Sequence, residues 1–308
     1  MTSPFFVVSL ELLFFLPSLL SGDPPKTLSL SVGSEGVGQG KTIAIYLSSS
    51  SPLQNVEGIF SERTFPFFLI KKRGAGPPLK PVKGLSEKDS GPPYTYRALL
   101  GIPIETKTGS YLLRINFDPA VDSLLESRIE VVETPFEREV VTIPPSKENL
   151  LTSGALEKEA EIIGKVLENR RSHQYWTGRF LIPIEGRISS PFGIYRAYND
   201  GTTSRPHRGV DIANMEGTPI LSPNSGKVVL SRHFEFHGNT LIIDHGQGVY
   251  SILNHLKRRY VQKGDRVKKG ETIGLVGETG LATGPHLHWG FSVSTIRVDA
   301  LEWTEKEF

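Results

Sequence analysis

The stretch HRGVD in the C-terminal half of the chain offers two side chains that could bind a metal. Its His207 and Asp211 are four residues apart, a spacing that places both on one face of an extended segment or on one face of a helix. Gly209 and the β-branched Val210 favour the extended form. Because a histidine and an aspartate at this spacing occur by chance in many proteins, the stretch is a weak indication by itself.

Two further stretches carry histidines beside apolar residues. In GPHLHW, residues 284–289, the alternation through Leu287 predicts a strand. His286 and His288 then point to the same side of that strand, which is uncommon unless a metal or a proton transfer uses the pair. His255 closes the apolar stretch SILNHL, and a lone histidine of this kind is more often structural than catalytic.

The chain has no cysteine, so a metal site can use only histidine, aspartate and glutamate. Catalytic zinc takes three protein ligands and keeps one position open for water. Two imidazoles and one carboxylate leave net positive charge on the metal, and the bound water then loses a proton near neutral pH. Seven of the eight histidines follow Phe180, enough for such a site and for two more that move protons and stabilise an oxyanion.

The elements that must position these side chains are predicted to be mainly strands. From Phe180 to Val298 the sequence is rich in glycine and alternates as strands do. Short alternating stretches from residue 27 to residue 134 predict a β-sandwich of immunoglobulin-like size. Apolar residues among charges over 147–171 predict one or two helices with a solvated charged face. The predicted chain is mainly all-β, in four parts: a signal peptide or anchor (1–22), an N-terminal β-sandwich domain (23–135), a helical connector (136–178) and a C-terminal antiparallel β catalytic domain (179–308).

The C-terminal part resembles a known family. Phe180–Val293 is similar to the catalytic domain of the lysostaphin/LytM-type zinc endopeptidases, which cut peptide cross-links in bacterial peptidoglycan. The similar stretches follow the family's order and are ISSPFG (188–193), HRGVDIA (207–213), GTPI (217–220), GKVV (226–229), GNTLIIDHGQG (238–248), NHL (254–256), KGDRVKKGETIGLVGETG (263–280) and ATGPHLHWGF (282–291). The stretch ALLGIPIETKTGSYLLRINF also resembles the β-sandwich attached to some members in Gram-negative bacteria.

The resemblance implies zinc ligation by His207, Asp211 and His288. It gives His255 and His286 the proton-transfer and oxyanion roles, without deciding which histidine has which. Zinc is then the cofactor, and peptidoglycan peptide stems or cross-bridges are the substrate. All five positions are occupied, whereas the family also contains members that lost ligands and regulate other cell-wall hydrolases. An intact enzyme held inactive by its N-terminal half is a further alternative.

Two positions depart from the family pattern. Leu253 stands where an aromatic residue is common, and Asn214 and Met215 replace the usual small residues or proline after the aspartate. Neither change removes a ligand, so both bear on substrate fit rather than on the chemistry.

The remaining histidines are predicted to take no part in the chemistry. They are His245, structural at a turn; His233 and His237, solvated beside an exposed loop; and His173, in a polar connector. Tyr195 or Tyr198, from the loop before the metal motif, could reach the reacting group.

Residues 5–20 form an apolar run that resembles a secretory signal, followed by Ser21 and Gly22 at a suitable cleavage point. The run contains Glu11, and no Lys or Arg precedes it, so an uncleaved membrane anchor or a misplaced start is the alternative. With no cysteine after the run, a lipoprotein anchor is excluded. The sequence thus predicts an exported protein of the periplasm or cell envelope.

The formal net charge of +2 is too small to indicate a nucleic-acid partner. Residues 257–269 hold seven basic residues and one acid; they predict a solvated hairpin, with binding of an anionic wall polymer as the alternative.

Two other functions fit parts of the chain. VQKGDRVKKGETIGLV has the strand-and-turn rhythm of biotin- or lipoyl-type carriers but no recognition motif around a lysine, and an endopeptidase could also act on ordinary proteins.

Overall fold

A computed structural model describes residues 12–16, 26–34, 36–72, 93–118, 125–199 and 204–308. The chain divides into two compact units. As far as they are described, the first comprises Met1–Gly38, Thr42–Leu100 and Thr106–Glu133, and the second Gln39–Lys41, Gly101–Glu105 and Thr134–Phe308. Residues 136–178, predicted as a connector, belong to the second unit.

Of the predicted signal or anchor, only Leu12–Leu16 lies within the described residues, where it forms a strand. The predicted cleavage point lies outside them, so the nature of residues 5–20 stays a prediction. No helix in the described part of the chain combines the length and the apolar composition needed to cross a membrane.

The described part of the first unit is built from ten strands in two sheets. The strands are β1 (Leu12–Leu16), β2 (Lys26–Val32), β3 (Gly36–Gly38), β4 (Thr42–Ser49), β5 (Gln54–Phe60), β6 (Arg63–Pro66), β7 (Phe68–Lys72), β8 (Tyr94–Gly101), β9 (Gly109–Asp118) and β10 (Leu125–Val132). One sheet has the order β1-β2-β4-β8-β7 and the other β3-β10-β9-β5-β6. Along β9, Leu113, Ile115 and Phe117 are buried, the alternation expected of a strand with one face in a core. The mainly β-structure confirms the predicted fold class, whereas the immunoglobulin likeness of this unit stays a prediction.

The second unit holds the remaining described elements. They are β11 (Arg138–Val141), a 3-10 turn (Pro145–Lys147), α1 (Asn149–Thr152), α2 (Ala155–Leu167), β12 (Arg187–Ser190), β13 (Tyr195–Tyr198), β14 (Ser204–Pro206), β15 (Val210–Ala213), β16 (Pro219–Leu221), β17 (Gly226–Phe234), β18 (Gly238–Gly246), β19 (Val249–Leu256), β20 (Arg258–Arg259), β21 (Arg266–Val267), β22 (Thr272–Leu275), β23 (His286–Val293), β24 (Ile296–Val298) and α3 (Glu302–Glu305). The largest sheet has the order β12-β15-β23-β19-β18-β17-β21, with β24 also paired to β23. Its neighbouring strands are all antiparallel, as predicted for the C-terminal domain.

Helix α2 packs on one face of this large sheet. Its buried residues follow a spacing of four, at 155, 159, 163 and 167, which places them in one stripe along the helix. Ile163 and Leu167 join a core cluster with Leu230, Phe234, Ile242, Tyr250 and Ile252 of the sheet. The helical segment predicted over 147–171 is therefore present, and it is an integral part of the second unit.

His245 lies in β18, fully buried, and its ring holds two parts of the fold together. The Nδ1 atom donates to the Ser225 carbonyl at 2.8 Å, and Nε2 lies 2.9 Å from the Ser251 hydroxyl. The ring of Phe180 packs edge-on against it at 4.9 Å between centroids. Burial lowers the pKa of His245 from 6.5 to about 4, so the ring is neutral at pH 7, in line with the structural role predicted for it.

This buried ring should make the stability of the protein depend on pH. The folded-state pKa of about 4 lies below the unfolded value of 6.5, so the unfolded chain binds the extra proton between these values. With respect to His245, the free energy of unfolding is therefore highest above about pH 6.5. It falls by about 3 kcal/mol as the pH is lowered towards 4. Urea unfolding at pH 7.5 and 4.5 should show this loss in the native sequence and a smaller one in His245→Gln. Parallel pH profiles for the two proteins would contradict it.

Candidate metal centre

The register of the large sheet brings together residues that are far apart in the chain. Asp211 on β15 is the direct cross-strand partner of His288 on β23, and Ala213 is the partner of His286. On the other side of β23, β19 carries His255 next to the residue that pairs with His288. Three adjacent strands therefore supply four of the five residues predicted for the site.

The fifth residue, His207, lies just before β15 and is held by its backbone. Its N–H donates to the Ile194 carbonyl, and its own carbonyl accepts from Gly193, both at 2.8 Å. The ring Nδ1 donates to the Pro191 carbonyl at 2.9 Å, which leaves Nε2 directed at Asp211. Gly209 is required nearby, because a Cβ there would stand 2.5 Å from His288 Nε2.

Three donor atoms converge at this point. His207 Nε2 lies 3.1 Å from Asp211 Oδ1 and 3.0 Å from His288 Nδ1, and the last two atoms are 2.8 Å apart. Ligand atoms of tetrahedral zinc, with bonds of about 2.0–2.1 Å, lie roughly 3.3 Å from one another. Within the described ranges this is the one group of three or more such side chains that could hold a metal ion. Two imidazoles and one carboxylate are a donor set that suits zinc.

The electrostatic setting suits a metal ligand as well. Burial lowers the pKa of His288 to about 3, so its ring nitrogen keeps the lone pair that a metal requires at neutral pH. Burial opposes the charge on Asp211, but His207 and His288 outweigh it and hold the pKa of that carboxyl well below its ordinary value.

The second oxygen of Asp211 is occupied by an arginine that sequence reasoning did not single out. Arg196 on β13 donates from Nη2 to Asp211 Oδ2 at 2.5 Å and from Nε to Glu139 at 2.7 Å. The Ser190 hydroxyl donates to the same Glu139 oxygen at 2.8 Å. Outer partners of this kind fix the orientation of a metal ligand, and here they leave Oδ1 to face His207 and His288. The parallel pairing of β11 with β13 places Glu139 opposite Arg196, and these segments are distant in the chain.

His255 and His286 lie beside the three donors. Their ring centroids are 4.9 Å apart, and that of His255 is 6.1 Å from His288. His255 Nδ1 donates to the Thr279 carbonyl and His286 Nδ1 to the Gly284 carbonyl, both at 2.8 Å. A carbonyl only accepts, so in both rings Nδ1 carries a proton, and a neutral ring of this tautomer has its lone pair at Nε2. Burial, and then the neighbouring His286 and His288, lower the pKa of His255 well below 6.5.

A β-bulge directs His255 to the site. Between β18 and β19, Asn239 pairs with Leu256 and Leu241 with Leu253, so Asn254 and His255 together face one residue. The partner of His288 is Asn254, and regular alternation would turn His255 to the opposite face. The bulge, with His255 at φ +66°, instead brings its ring beside His286. A left-handed non-glycine residue costs about 1 kcal/mol or more, and bulges that aim a side chain are frequent next to active sites.

The other predicted residues lie as follows. Tyr195 and Tyr198 are half-buried in β13; Leu253 is buried opposite Trp289; Met215 is exposed; and His173 and His233 are exposed. Within the basic stretch 257–269 most of the cationic side chains are exposed, as predicted for a solvated hairpin.

The prediction for His237 was wrong. This residue is half-buried rather than solvated, and its Nδ1 lies 2.6 Å from Glu159 Oε2. Glu159 itself is only 5% exposed, so the predicted solvated charged face of the helix does not include it. The reason is its place in the stripe of α2 that faces the sheet.

The part of the chain that carries this arrangement is similar to known proteins. Residues 205–300 match the sequence model described as Peptidase family M23. Over 124 residues the chain is 37% identical to Peptidoglycan DD-endopeptidase ShyA of Vibrio cholerae, a match that covers 40% of this chain and 29% of that protein. Over 110 residues it is 42% identical to Peptidoglycan DD-endopeptidase ShyC of the same organism, covering 36% and 25%. The chain thus spans about a quarter of the length of these relatives.

One solved structure resembles the chain over most of its length. A Pseudomonas aeruginosa protein assigned to peptidase M23 superposes with a TM-score of 0.58 and 25% identity, over 90% of this chain and 92% of that one. The similarity therefore extends beyond residues 205–300 and includes much of the N-terminal half.

Proposed function

We propose that the chain is a zinc-dependent endopeptidase that hydrolyses peptide cross-links of bacterial peptidoglycan, because residues 205–300 match the sequence model of Peptidase family M23. Relatives named peptidoglycan DD-endopeptidases support the substrate class. The observation that carries the proposal is the convergence of His207, Asp211 and His288 beside two further histidines with fixed ring protons.

The proposed chemistry assigns each histidine a task. Zinc bound there would supply Lewis-acid chemistry, for the scissile carbonyl and for a water molecule. His207, Asp211 and His288 would hold the metal. In its neutral form either ring, that of His255 or that of His286, has an Nε2 lone pair that can accept the proton of the attacking water. A ring that is protonated at Nε2 donates there, to an oxyanion or to the leaving amine. The two rings thus share the proton-transfer and oxyanion roles.

A peptidoglycan endopeptidase acts in the cell envelope, so we infer export to the periplasm or envelope through the apolar run 5–20. A non-catalytic regulator of other wall hydrolases is the alternative. We favour the enzyme over this regulator because all five site positions are occupied.

Digestion of purified peptidoglycan tests the proposed function. The full chain with one equivalent of zinc should release muropeptides whose masses show a cleaved peptide cross-link. Removing the metal with a chelator should abolish release, and added zinc should restore it. Casein, offered in parallel, should remain intact. Cleavage of casein alone would assign the protein to ordinary proteolysis, and zinc-loaded protein inactive on both substrates would favour the regulator.

A further inference from the structure

We propose that Glu159, on helix α2, is a positioning residue for His255, a role that rests on the proposed function. Glu159 is buried in the stripe by which α2 packs on the sheet, where the other members are Ala155, Ile163 and Leu167. An apolar residue would pack there without the cost of burying a charge. A carboxylate buried at this position therefore needs hydrogen-bond donors around it.

Those partners all lie in the turn between β17 and β18. The backbone N–H groups of Phe236 and His237 donate to the two carboxylate oxygens at 2.8 and 3.0 Å. The ring Nδ1 of His237 lies 2.6 Å from the same carboxylate. Three contacts thus fix this turn to the helix, and they account for the burial of Glu159.

The same turn holds His255 by its backbone. The His237 carbonyl accepts from the N–H of His255 at 3.0 Å. This bond lies at the bulge, where His255 has its left-handed φ of +66°. A strained conformation persists only where its surroundings impose it, and the turn fixed by Glu159 provides one of those restraints.

The turn also holds the ring of His255, through Thr279. Asn239 N–H donates to the Thr279 hydroxyl at 3.0 Å, and the Thr279 carbonyl accepts from His255 Nδ1 at 2.8 Å. Gly238, at φ +64°, packs so closely that a Cβ there would stand 2.4 Å from that carbonyl. Movement of the turn would therefore disturb both the backbone and the ring of His255, whereas the contacts among His207, Asp211 and His288 do not pass through it.

Glu159→Gln tests the role, with Glu161→Gln as the matched control. Glutamine keeps the shape, but its NH₂ group cannot accept, so one buried N–H of the turn loses its acceptor. Glu161 lies on the same helix, exposed and paired with Lys165 at 2.6 Å. We expect Glu159→Gln to speed hydrogen exchange of the His255 amide at least about tenfold. The kcat should fall roughly 10- to 100-fold, with KM and zinc affinity close to those of the control.

The outcomes separate the proposals. If His255 amide exchange and kcat in Glu159→Gln both equal those of Glu161→Gln, the positioning role is wrong. Zinc affinity falling in step with kcat would likewise overturn it, because the effect would then act on the whole site. Should Glu159→Gln not fold, His237→Asn carries the same two readouts, with smaller losses because both backbone bonds to Glu159 remain. A native protein that cleaves no peptidoglycan would refute the proposed function, while hydrogen exchange would still decide the role of Glu159.

Discussion

His288→Ala is expected to abolish zinc binding and, with it, peptidoglycan hydrolysis. The His288 ring lies within 3.0 Å of His207 Nε2 and Asp211 Oδ1, so its loss leaves two of three ligands and opens the site to water. Removing an outer partner of a ligand typically costs about 10- to 100-fold in metal affinity, and removing a ligand itself should cost at least about 10³-fold. Competition with a chromogenic chelator measures the affinity directly.

A control histidine makes this test specific. His233 is exposed, and its Nδ1 lies 3.3 Å from the Asn239 side chain, away from the three donors. His233→Ala should bind zinc and cleave peptidoglycan as the native protein does. Native-like zinc affinity in His288→Ala would show that the metal lies elsewhere or is absent from the chemistry.

Short-range rules in the sequence predicted how the residues of each stretch are placed on their strands. Alternation in GPHLHW put His286 and His288 on one face, and β23 spans these residues. Gly209 and Val210 favoured an extended segment, and β15 begins at Val210. What placed Asp211 opposite His288 was the pairing of two strands 77 residues apart in the chain. The spacing within each stretch does not predict this pairing. The sequence therefore predicted the three residues as one set only through the family resemblance.

The residues that were missed depend on long-range contacts or on an irregularity. Arg196 pairs with Glu139 across β11 and β13 and bonds to Asp211 on a third strand, and nothing in its neighbourhood in the sequence indicates either contact. The bulge at His255 breaks the period of two on which strand prediction depends. Glu159 did leave a signal, since the period of four from Ala155 to Leu167 runs through it. A charge in such a stripe is usually assigned to the solvated face, and only the turn at Phe236 and His237 explains why this one is buried.

His255→Ala and His286→Ala are expected to reduce kcat each by roughly 10²- to 10³-fold while zinc remains bound. Both rings are held by a hydrogen bond from Nδ1 to a backbone carbonyl, and neither is among the three residues that could hold a metal ion. Metal affinity should therefore stay close to native, unlike in His288→Ala, and the loss should fall on turnover.

The double variant shows how the two histidines divide the work. If one ring accepts the proton and the other stabilises the oxyanion in the same transition state, the two act as a unit, and the double loss should be smaller than the product of the single losses. Independent roles would instead give the full product. If both single variants keep near-native turnover with zinc bound, neither ring takes part, and the metal with its water suffices. The 4.9 Å between the two ring centroids favours the first outcome, because one reacting group can contact both rings at once.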